Sequence, residues 1–293
     1  GTIINTGSFP QSILPEGIIG FDKGIAEYPS VINQIFCVEK MDRSYLRWVK
    51  TYGLGIAGAL GENKAVSFDH MGQRWSKDIV AQKYGIGVAI TKEAIEDDRT
   101  GIIMQMKGKE LGLAVQRKKD LLGAAFLDSG FTASTVSSTG DGKALYANDH
   151  PLLNGTFSNI PSSYVAFSEA ALEQAYKDIS LNFLNERGFA EMVKAQKIVV
   201  GVNNRLEAVR VLQSVGQVYT PDNTPNALRA SGVMPGDVIV HPLLVSQNAY
   251  HIITDVQDGL KFYVRKDAEM SADNEFDTDL LKFKAIFKVG LAA

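Results

Sequence analysis

Residues 80–127 decide the fold: VAQKYGIGVAITKEAIEDDRTGIIMQMKGKELGLAVQRKKDLLGAAFL. Up to Ile90 the apolar side chains fall mainly on even positions, which is the period of a β-strand. From Thr91 onward the apolar residues recur at helical spacing, on a face that includes Ile95 and Leu113. The stretch therefore predicts a long strand that runs directly into a long helix.

Upstream of this point, residues 65–90 are predicted to form a long β-hairpin. Val66 and Phe68 mark its first limb, and the bend is expected at residues 69–72, a segment that ends in Gly72. The hairpin is expected to project from its domain, because its strands exceed the usual five or six residues. The charged residues assigned to its tip are Asp69, Arg74, Lys77 and Asp78.

The predicted helix runs from Thr91, a suitable N-cap, to Leu127. If it is continuous, its length is about 55 Å at 1.5 Å per residue, although Gly101, Gly108 and Gly112 weaken it. A compact chain of this size would be roughly 50 Å across. The helix length therefore predicts a flat or elongated subunit that needs partners.

The first 30 residues combine turn-forming glycine and proline with many apolar side chains. This combination predicts an extended, irregular arm that lies on a neighbouring surface. Next in the chain, Cys37 lies in an apolar run and is predicted to be a buried structural thiol.

The C-terminal part alternates between helical and strand patterns. A helix is predicted over 168–186, and strands at 197–202, 238–240 and 249–256 form an α/β unit with a helix that Asn203 or Asn204 caps. The chain closes with alternating strands at 260–265 and 281–291. The buried face of the helix capped by Asn203 or Asn204 is predicted to comprise Leu206, Val209, Val211 and Leu212.

Composition narrows the function classes. The formal net charge is -3, so the basic excess of a nucleic-acid-binding domain is missing and only weak, non-specific contact with DNA is expected. The single cysteine excludes an intrachain disulfide framework. The apolar runs are shorter than the roughly 18–20 residues that span a bilayer, so no membrane partner is predicted.

The search for chemistry is nearly empty. The four histidines lack the spacing of a zinc site, and GLGIAG at 53–58 resembles a dinucleotide fingerprint without its strand-to-helix context. Asp149, His150 and Pro151 suggest acid–base chemistry, but a turn in which Asp149 bonds to backbone is the preferred interpretation, because no nucleophile is identifiable. We predict no catalytic residue, no cofactor, no metal and no enzymatic activity.

The order of these elements resembles the HK97-type capsid subunit of tailed bacteriophages. The segments GKALYANDHP at 142–151 and KIVV at 197–200 are similar to segments of Mu-type major head subunits. The resemblance implies an α+β, HK97-like capsid fold with an N-arm, an extended β-hairpin (E-loop), a long spine helix, and peripheral and axial domains. The implied divisions are the arm at 1–48, the E-loop hairpin at 49–90, the spine helix and peripheral domain at 91–165, the axial domain at 166–258, and returning peripheral strands at 259–293.

The function that the resemblance implies is that of a major capsid protein. Copies would assemble in the host cytoplasm into pentamers and hexamers of an icosahedral virion shell around double-stranded DNA. Further partners would be decoration, portal and scaffolding proteins. The side chains proposed to contact other subunits are Phe9, Ile13, Phe21, Phe68, Trp75 and Tyr84.

Two alternatives stay open at this stage. An encapsulin-like compartment shell would keep the fold and enclose a cargo enzyme in place of DNA. An unrecognised α/β enzyme would have its site near Asp149 and His150.

Overall fold

The computed structural model of the 293-residue chain describes residues 9–60, 62, 65–97, 101–132, 139–217, 224–256, 259–275 and 280–293, except for the side chains of 9–14, 96, 274 and 275. The described helices are α1 (Phe9–Glu27), α2 (Ile32–Ile35), α3 (Lys92–Asp97), α4 (Ile102–Asp128), α5 (Glu169–Asn182), α6 (Arg205–Gln213) and α7 (Ala227–Ser231). The described strands are β1 (Cys37–Lys40), β2 (Tyr45–Tyr52), β3 (Gly72–Val80), β4 (Gln82–Thr91), β5 (His150–Pro151), β6 (Thr156–Phe157), β7 (Ala195–Val200), β8 (Val238–Val240), β9 (Tyr250–Thr254), β10 (Lys261–Glu275) and β11 (Leu280–Ala292).

The chain divides into two compact units. Unit 1 comprises Gly1–Ser44, Val80–Gly123 and Phe262–Leu291, and unit 2 comprises Tyr45–Ile79, Ala124–Lys261 and Ala292–Ala293. Within the described part of the chain, no helix is both long enough and apolar enough to cross a membrane.

Unit 1 contains a four-stranded sheet in the order β1-β10-β11-β4. The predicted strand before Thr91 is confirmed as β4, and the predicted alternation over 281–291 is confirmed in β11, whose Phe283 and Phe287 are buried. The two strands are antiparallel, with Val88 opposite Phe283. β4 thus pairs along its length with a strand that belongs to the core, and of its own apolar residues Ile90 is buried.

The predicted hairpin over 65–90 is wrong in its pairing. β3 pairs with β2 in a two-stranded sheet, whereas β4 pairs with β11. The hairpin is therefore formed by β2 and β3, and residues 53–71 connect these strands. Of the charged residues predicted at the tip, Asp69 lies at the end of this connection, whereas Arg74, Lys77 and Asp78 lie within β3. A period of two identifies a strand and its buried face, but it does not identify the partner strand.

The predicted continuous helix is interrupted. α3 ends at Asp97 and α4 begins at Ile102, after Gly101, whose φ of 68° lies outside helical geometry. α4 has 27 residues, which is about 40 Å at 1.5 Å per residue. This is shorter than the predicted helix of about 55 Å, so the helix length no longer supports the prediction of an elongated subunit. The cap at Thr91 is confirmed, because its hydroxyl oxygen accepts a hydrogen bond of 3.3 Å from the Ala94 N–H.

Over residues 9–27 the predicted irregular structure of the arm is wrong, because they form helix α1 even with Pro15 inside it. Residues 1–8 lie outside the described part of the chain, and contact of the arm with a neighbour stays a prediction. α1 packs on α4 at backbone distance: a Cβ at Gly20 would overlap the carbonyl oxygen of Gln105, and a Cβ at Gly108 would overlap that of Gly17. The glycines that weaken the helical pattern in the sequence are thus the residues that let the two helices touch.

Cys37 is exposed, which corrects the prediction of a buried thiol. It begins β1, an edge strand of the four-stranded sheet, and the neighbouring Ile35 and Phe36 fill the core. The apolar run was therefore identified correctly, but the buried positions are those before the cysteine.

Unit 2 contains the predicted α/β unit, a three-stranded sheet in the order β8-β7-β9. β7 is parallel to β8 and antiparallel to β9. α5 begins where Ser168 caps it, accepting a hydrogen bond of 3.2 Å from the Ala171 N–H. Val211 and Leu212 of α6 are buried as predicted, but Leu206 and Val209 are exposed because they lie on the opposite face of the helix.

Candidate subunit-contact surface

The largest group of exposed apolar side chains in unit 2 lies on residues 53–71, here named the apolar loop. Phe68 is 98% exposed and Ile56 is 77% exposed. The connection is longer than the roughly 12–15 residues usual for loops, and its residues 61, 63 and 64 lie outside the described part of the chain. Exposed apolar side chains grouped in this way along one segment favour an interaction site. Its exposed apolar residues are Leu54, Ile56, Leu60, Val66, Phe68 and Met71.

Arg187 holds the two ends of this loop together. Its Nε donates a hydrogen bond of 2.7 Å to the carbonyl oxygen of Gly53, and one terminal nitrogen donates a bond of 2.8 Å to the carbonyl oxygen of His70. The guanidinium also pairs with Asp69 at 3.1 Å and lies 5.4 Å from the ring centroid of Tyr52. We name these residues the neck of the apolar loop.

Asp69 joins the ends of the loop a second time. One of its oxygens accepts the N–H of Gly55 at 2.7 Å, and the other accepts the N–H of His70 at 2.8 Å. These backbone hydrogen bonds, and then Arg187, hold the pKa of the Asp69 carboxyl below its usual value. The carboxylate is therefore charged whenever the neck is formed near neutral pH.

A tight turn positions Arg187. The Asn185 side-chain oxygen accepts the N–H groups of Arg187 and Phe189, both at 3.0 Å, and Gly188 adopts a φ of 85°. Glu186 in the same turn pairs with Arg74 of β3 at 3.2 Å. One short segment thus fixes both the neck and the adjoining strand.

The six contact candidates differ in where they lie. Phe68 is almost fully exposed, Phe21 is 3% exposed, and the side chains of Phe9 and Ile13 lie outside the described residues. Trp75 is half-buried against Gly140, where a Cβ would overlap the indole. For all six, contact with another subunit stays a prediction.

Tyr84, the sixth candidate, is partly covered within unit 1. Its ring stacks on Phe287 at 5.5 Å between centroids, and Lys118 Nζ lies 5.2 Å from the ring centroid. The Tyr84 hydroxyl donates a hydrogen bond of 2.7 Å to Gln82.

Sequence reasoning missed most of the apolar loop. The segment GLGIAG resembles a dinucleotide fingerprint in the sequence, yet β2 precedes it and β3 follows the loop, with no described helix between them. The sequence does carry a signal, because residues 53–60 have three large aliphatic side chains and no charge. This composition favours contact with a partner over an ordinary polar turn.

The segment around His150 is held by hydrogen bonds other than those expected. His150 Nδ1 lies 2.8 Å from an oxygen of Asp141, and both side chains are buried, whereas Asp149 pairs with the Lys143 side chain instead of with backbone. Burial raises the pKa of Asp141, but the hydrogen bonds from Thr139, His150 and the Lys143 N–H outweigh it, so the net shift is downward. Among the described residues, no group of three or more His, Cys, Asp or Glu could hold a metal ion.

His251 lies in an aromatic pocket of unit 2. Its ring stacks on Tyr146 at 5.3 Å and lies 6.4 Å from Phe131. Burial lowers the pKa of His251 to about 4, with Asp128 opposing the shift and His241 adding to it. Nε2 of His251 is buried and has no hydrogen-bond partner among the described residues, so the ring is held as a neutral packing group.

Comparison with known proteins gives one family match and several structural matches. A family model described as a phage capsid protein matches residues 76–293. No curated protein sequence matches the chain.

The structural matches span most of the chain. A structure from Microbacterium phage Oxtober96 has a TM-score of 0.54 at 14% identity, and the match covers 90% of this chain and 84% of that one. The capsid of Ralstonia phage GP4 gives 0.53 at 11% identity, covering 88% and 82%. A virus-like particle from Pyrococcus furiosus gives 0.52 at 12% identity, covering 95% and 94%. At these identities the likeness is one of fold.

Proposed function

The chain belongs to the phage capsid protein family, and from that membership we propose that copies of it form the pentamers and hexamers of an icosahedral shell that encloses double-stranded DNA. It is a structural shell protein with an HK97-like fold, and its place is the shell of the virion. Self-association into that shell is its main interaction. The absence of enzymatic activity remains a prediction.

The apolar loop is the observation that supports direct contact between copies. Its side chains are exposed in the single chain, with Phe68 at 98%, although water penalises such surface by about 25 cal/mol per Å². A shell supplies many identical neighbours at fixed positions, so one loop per subunit can be covered by one neighbouring copy. We therefore assign a second copy of this chain as its occupant.

The charge balance supports enclosure of DNA without tight binding. A net charge of -3 provides no basic excess for phosphate neutralisation. We propose non-specific contact with the packaged DNA, assembly in the host cytoplasm, and transient or peripheral contacts with scaffolding, portal and decoration proteins.

The compartment-shell alternative has one observation in its favour, the likeness to the Pyrococcus furiosus virus-like particle. The family match favours the phage shell. Purified particles distinguish the two proposals, because a compartment shell would contain a co-purifying protein cargo and no DNA.

The test is assembly of the full chain. We expect sedimentation velocity and electron micrographs of the wild-type chain to show large closed particles under assembly-promoting conditions. The double variant Ile56→Ser/Phe68→Ser should raise the concentration needed for particles about tenfold or more, since burial of one such side chain is worth about 1.5–3 kcal/mol.

Met192→Ser is the matched control, because Met192 is fully exposed in the same unit but lies outside the apolar loop. A wild-type chain that remains monomeric or dimeric would contradict the proposed shell. A double variant that assembles as well as the control would remove the apolar loop from the interface.

A further inference from the structure

We infer that Arg187 is a positioning residue for assembly, which locks the neck of the apolar loop in each free subunit and presents the loop preformed to a second copy. The inference rests on the proposed function and adds to it the residue that prepares the contact. Arg187 itself is 18% exposed and lies at the neck, so it acts through the loop.

The guanidinium of Arg187 reaches both ends of the loop. It bonds to the carbonyl oxygen of Gly53, where the loop begins, and to the carbonyl oxygen of His70, where the loop ends. It also pairs with Asp69, which accepts the N–H of Gly55 across the neck. A planar group with five donors in a fixed fork can serve these acceptors at once, whereas an ammonium group offers no such plane.

Aromatic packing holds the residues of the neck in place. The Tyr52 ring lies beneath the Arg187 guanidinium and makes an edge contact with His70 at 6.0 Å between centroids. A Cβ at Gly72 would overlap the Tyr52 ring. By contrast, a Cβ at Gly58, beyond the neck, would meet nothing within 4 Å. The fixed part of the loop therefore stops at the neck, and the apolar part beyond it stands open.

Closing the neck before assembly lowers the entropic cost of association. A loop of this length that is free at its neck must be ordered when the subunits meet, and that conformational entropy opposes association. A neck that is closed before assembly removes part of this cost and fixes the direction in which the apolar side chains leave the domain.

The experiment compares Arg187→Ala and Arg187→Lys with Arg47→Ala in the full chain. Arg47 is the matched control, because it pairs with Asp78 at 2.6 Å across the same hairpin, away from the neck, and the pair is largely exposed. We expect both Arg187 variants to raise the concentration needed for particles about tenfold, while Arg47→Ala leaves it unchanged. We expect Arg187→Lys to be as defective as Arg187→Ala, because lysine keeps the positive charge but lacks the planar set of donors of the guanidinium.

Hydrogen exchange in unassembled protein supplies the readout that separates positioning from general destabilisation. In both Arg187 variants the amides of Gly55 and His70 should exchange at least about tenfold faster, because each bonds to Asp69 in the neck. The amides of β7 should keep their wild-type rates. Faster exchange throughout β7 would mean that the variants unfold unit 2, which would overturn the inference.

A double-mutant comparison tests whether Arg187 acts through the loop. Adding Arg187→Ala to Ile56→Ser/Phe68→Ser should weaken assembly little further, because the loop no longer has apolar contacts to present. Full additivity of the two effects would overturn the inference. Different results would contradict the proposed shell and the role of Arg187. Absence of wild-type particles contradicts the shell, whereas equal assembly of wild type and Arg187→Ala contradicts only the positioning role of Arg187.

Discussion

Two regions of the molecule are rich in glycine for opposite reasons. In unit 1, the glycines of α1 and α4 lie where the two helices touch, and a Cβ at Gly108 would overlap the backbone at Gly17. In the apolar loop of unit 2, a Cβ at Gly53 or Gly58 would meet nothing within 4 Å. In the first region the glycines are covered by the backbone of the facing helix, whereas in the second they stand open and the apolar side chains Leu54 and Ile56 are exposed.

The difference shows that glycine and apolar residues in a sequence do not by themselves say whether a partner lies inside or outside the chain. Both regions have irregular, glycine-interrupted apolar patterns. α1 satisfies its pattern by packing on α4, whereas the apolar loop is held at its neck by Arg187 and has no such cover. The loop therefore carries the exposed apolar surface to which we assign a second copy.

Acid should destabilise unit 2, and among the effects that do not truncate a core side chain this is the largest that we expect. His251 belongs to unit 2, and burial lowers its pKa to about 4 from the value of about 6.5 that it has in an unfolded chain. The unfolded chain thus binds the proton more readily, so stability is complete above pH ~6.5 and is lost as the pH falls towards ~4, by about 3 kcal/mol in total.

The measurement is urea unfolding at neutral and acid pH, followed by tryptophan fluorescence, because Trp48 and Trp75 both lie in unit 2. The variant His251→Phe keeps a ring to stack on Tyr146 and removes the titration. We expect most of the acid-induced loss of stability to disappear in this variant. An unchanged loss would show that His251 does not control the acid response.

The helix crossing in unit 1 should be the next most sensitive region. Gly108→Ala gains about 1 kcal/mol of helix propensity, but its methyl group overlaps backbone atoms that cannot rotate away, so we expect a net loss of about 1–2 kcal/mol. Far-ultraviolet circular dichroism during thermal unfolding measures it. Gly58→Ala in the apolar loop is the control and should change stability by less than about 0.5 kcal/mol. Equal effects of the two substitutions would contradict the comparison.

The sequence identifies elements whose burial follows a regular period. β4, β11, α5 and the sheet around β7 are all predicted, because alternating or helical burial leaves its period in the order of residues. The cap at Thr91 is predicted for a similar reason, since it depends on a local hydrogen bond.

The sequence does not identify contacts that depend on distant partners. The pairing of β3 with β2 and the packing of α1 on α4 join segments whose individual patterns are compatible with several partners. The neck is the clearest case, because Arg187 and Gly53 are distant in the chain and a lone arginine carries no periodic signal. The apolar residues near Gly55 also fit a nucleotide motif in the sequence, so the sequence alone does not identify them as an exposed surface.

The smallest expected effect is on the stability of the apolar loop itself. Ile56→Ser/Phe68→Ser should change the free energy of unfolding of the unassembled chain by less than about 0.5 kcal/mol, because both side chains are already in water before unfolding. Phe126→Ala in the same unit is the opposite case, since Phe126 is 1% exposed and its truncation should cost about 3–5 kcal/mol. Urea midpoints of the two variants, followed by tryptophan fluorescence, make the measurement. A loss above about 1 kcal/mol in the loop variant would mean that Phe68 is packed within the chain, because ordinary exposed substitutions cost less. The loop would then have no free surface to offer a second copy.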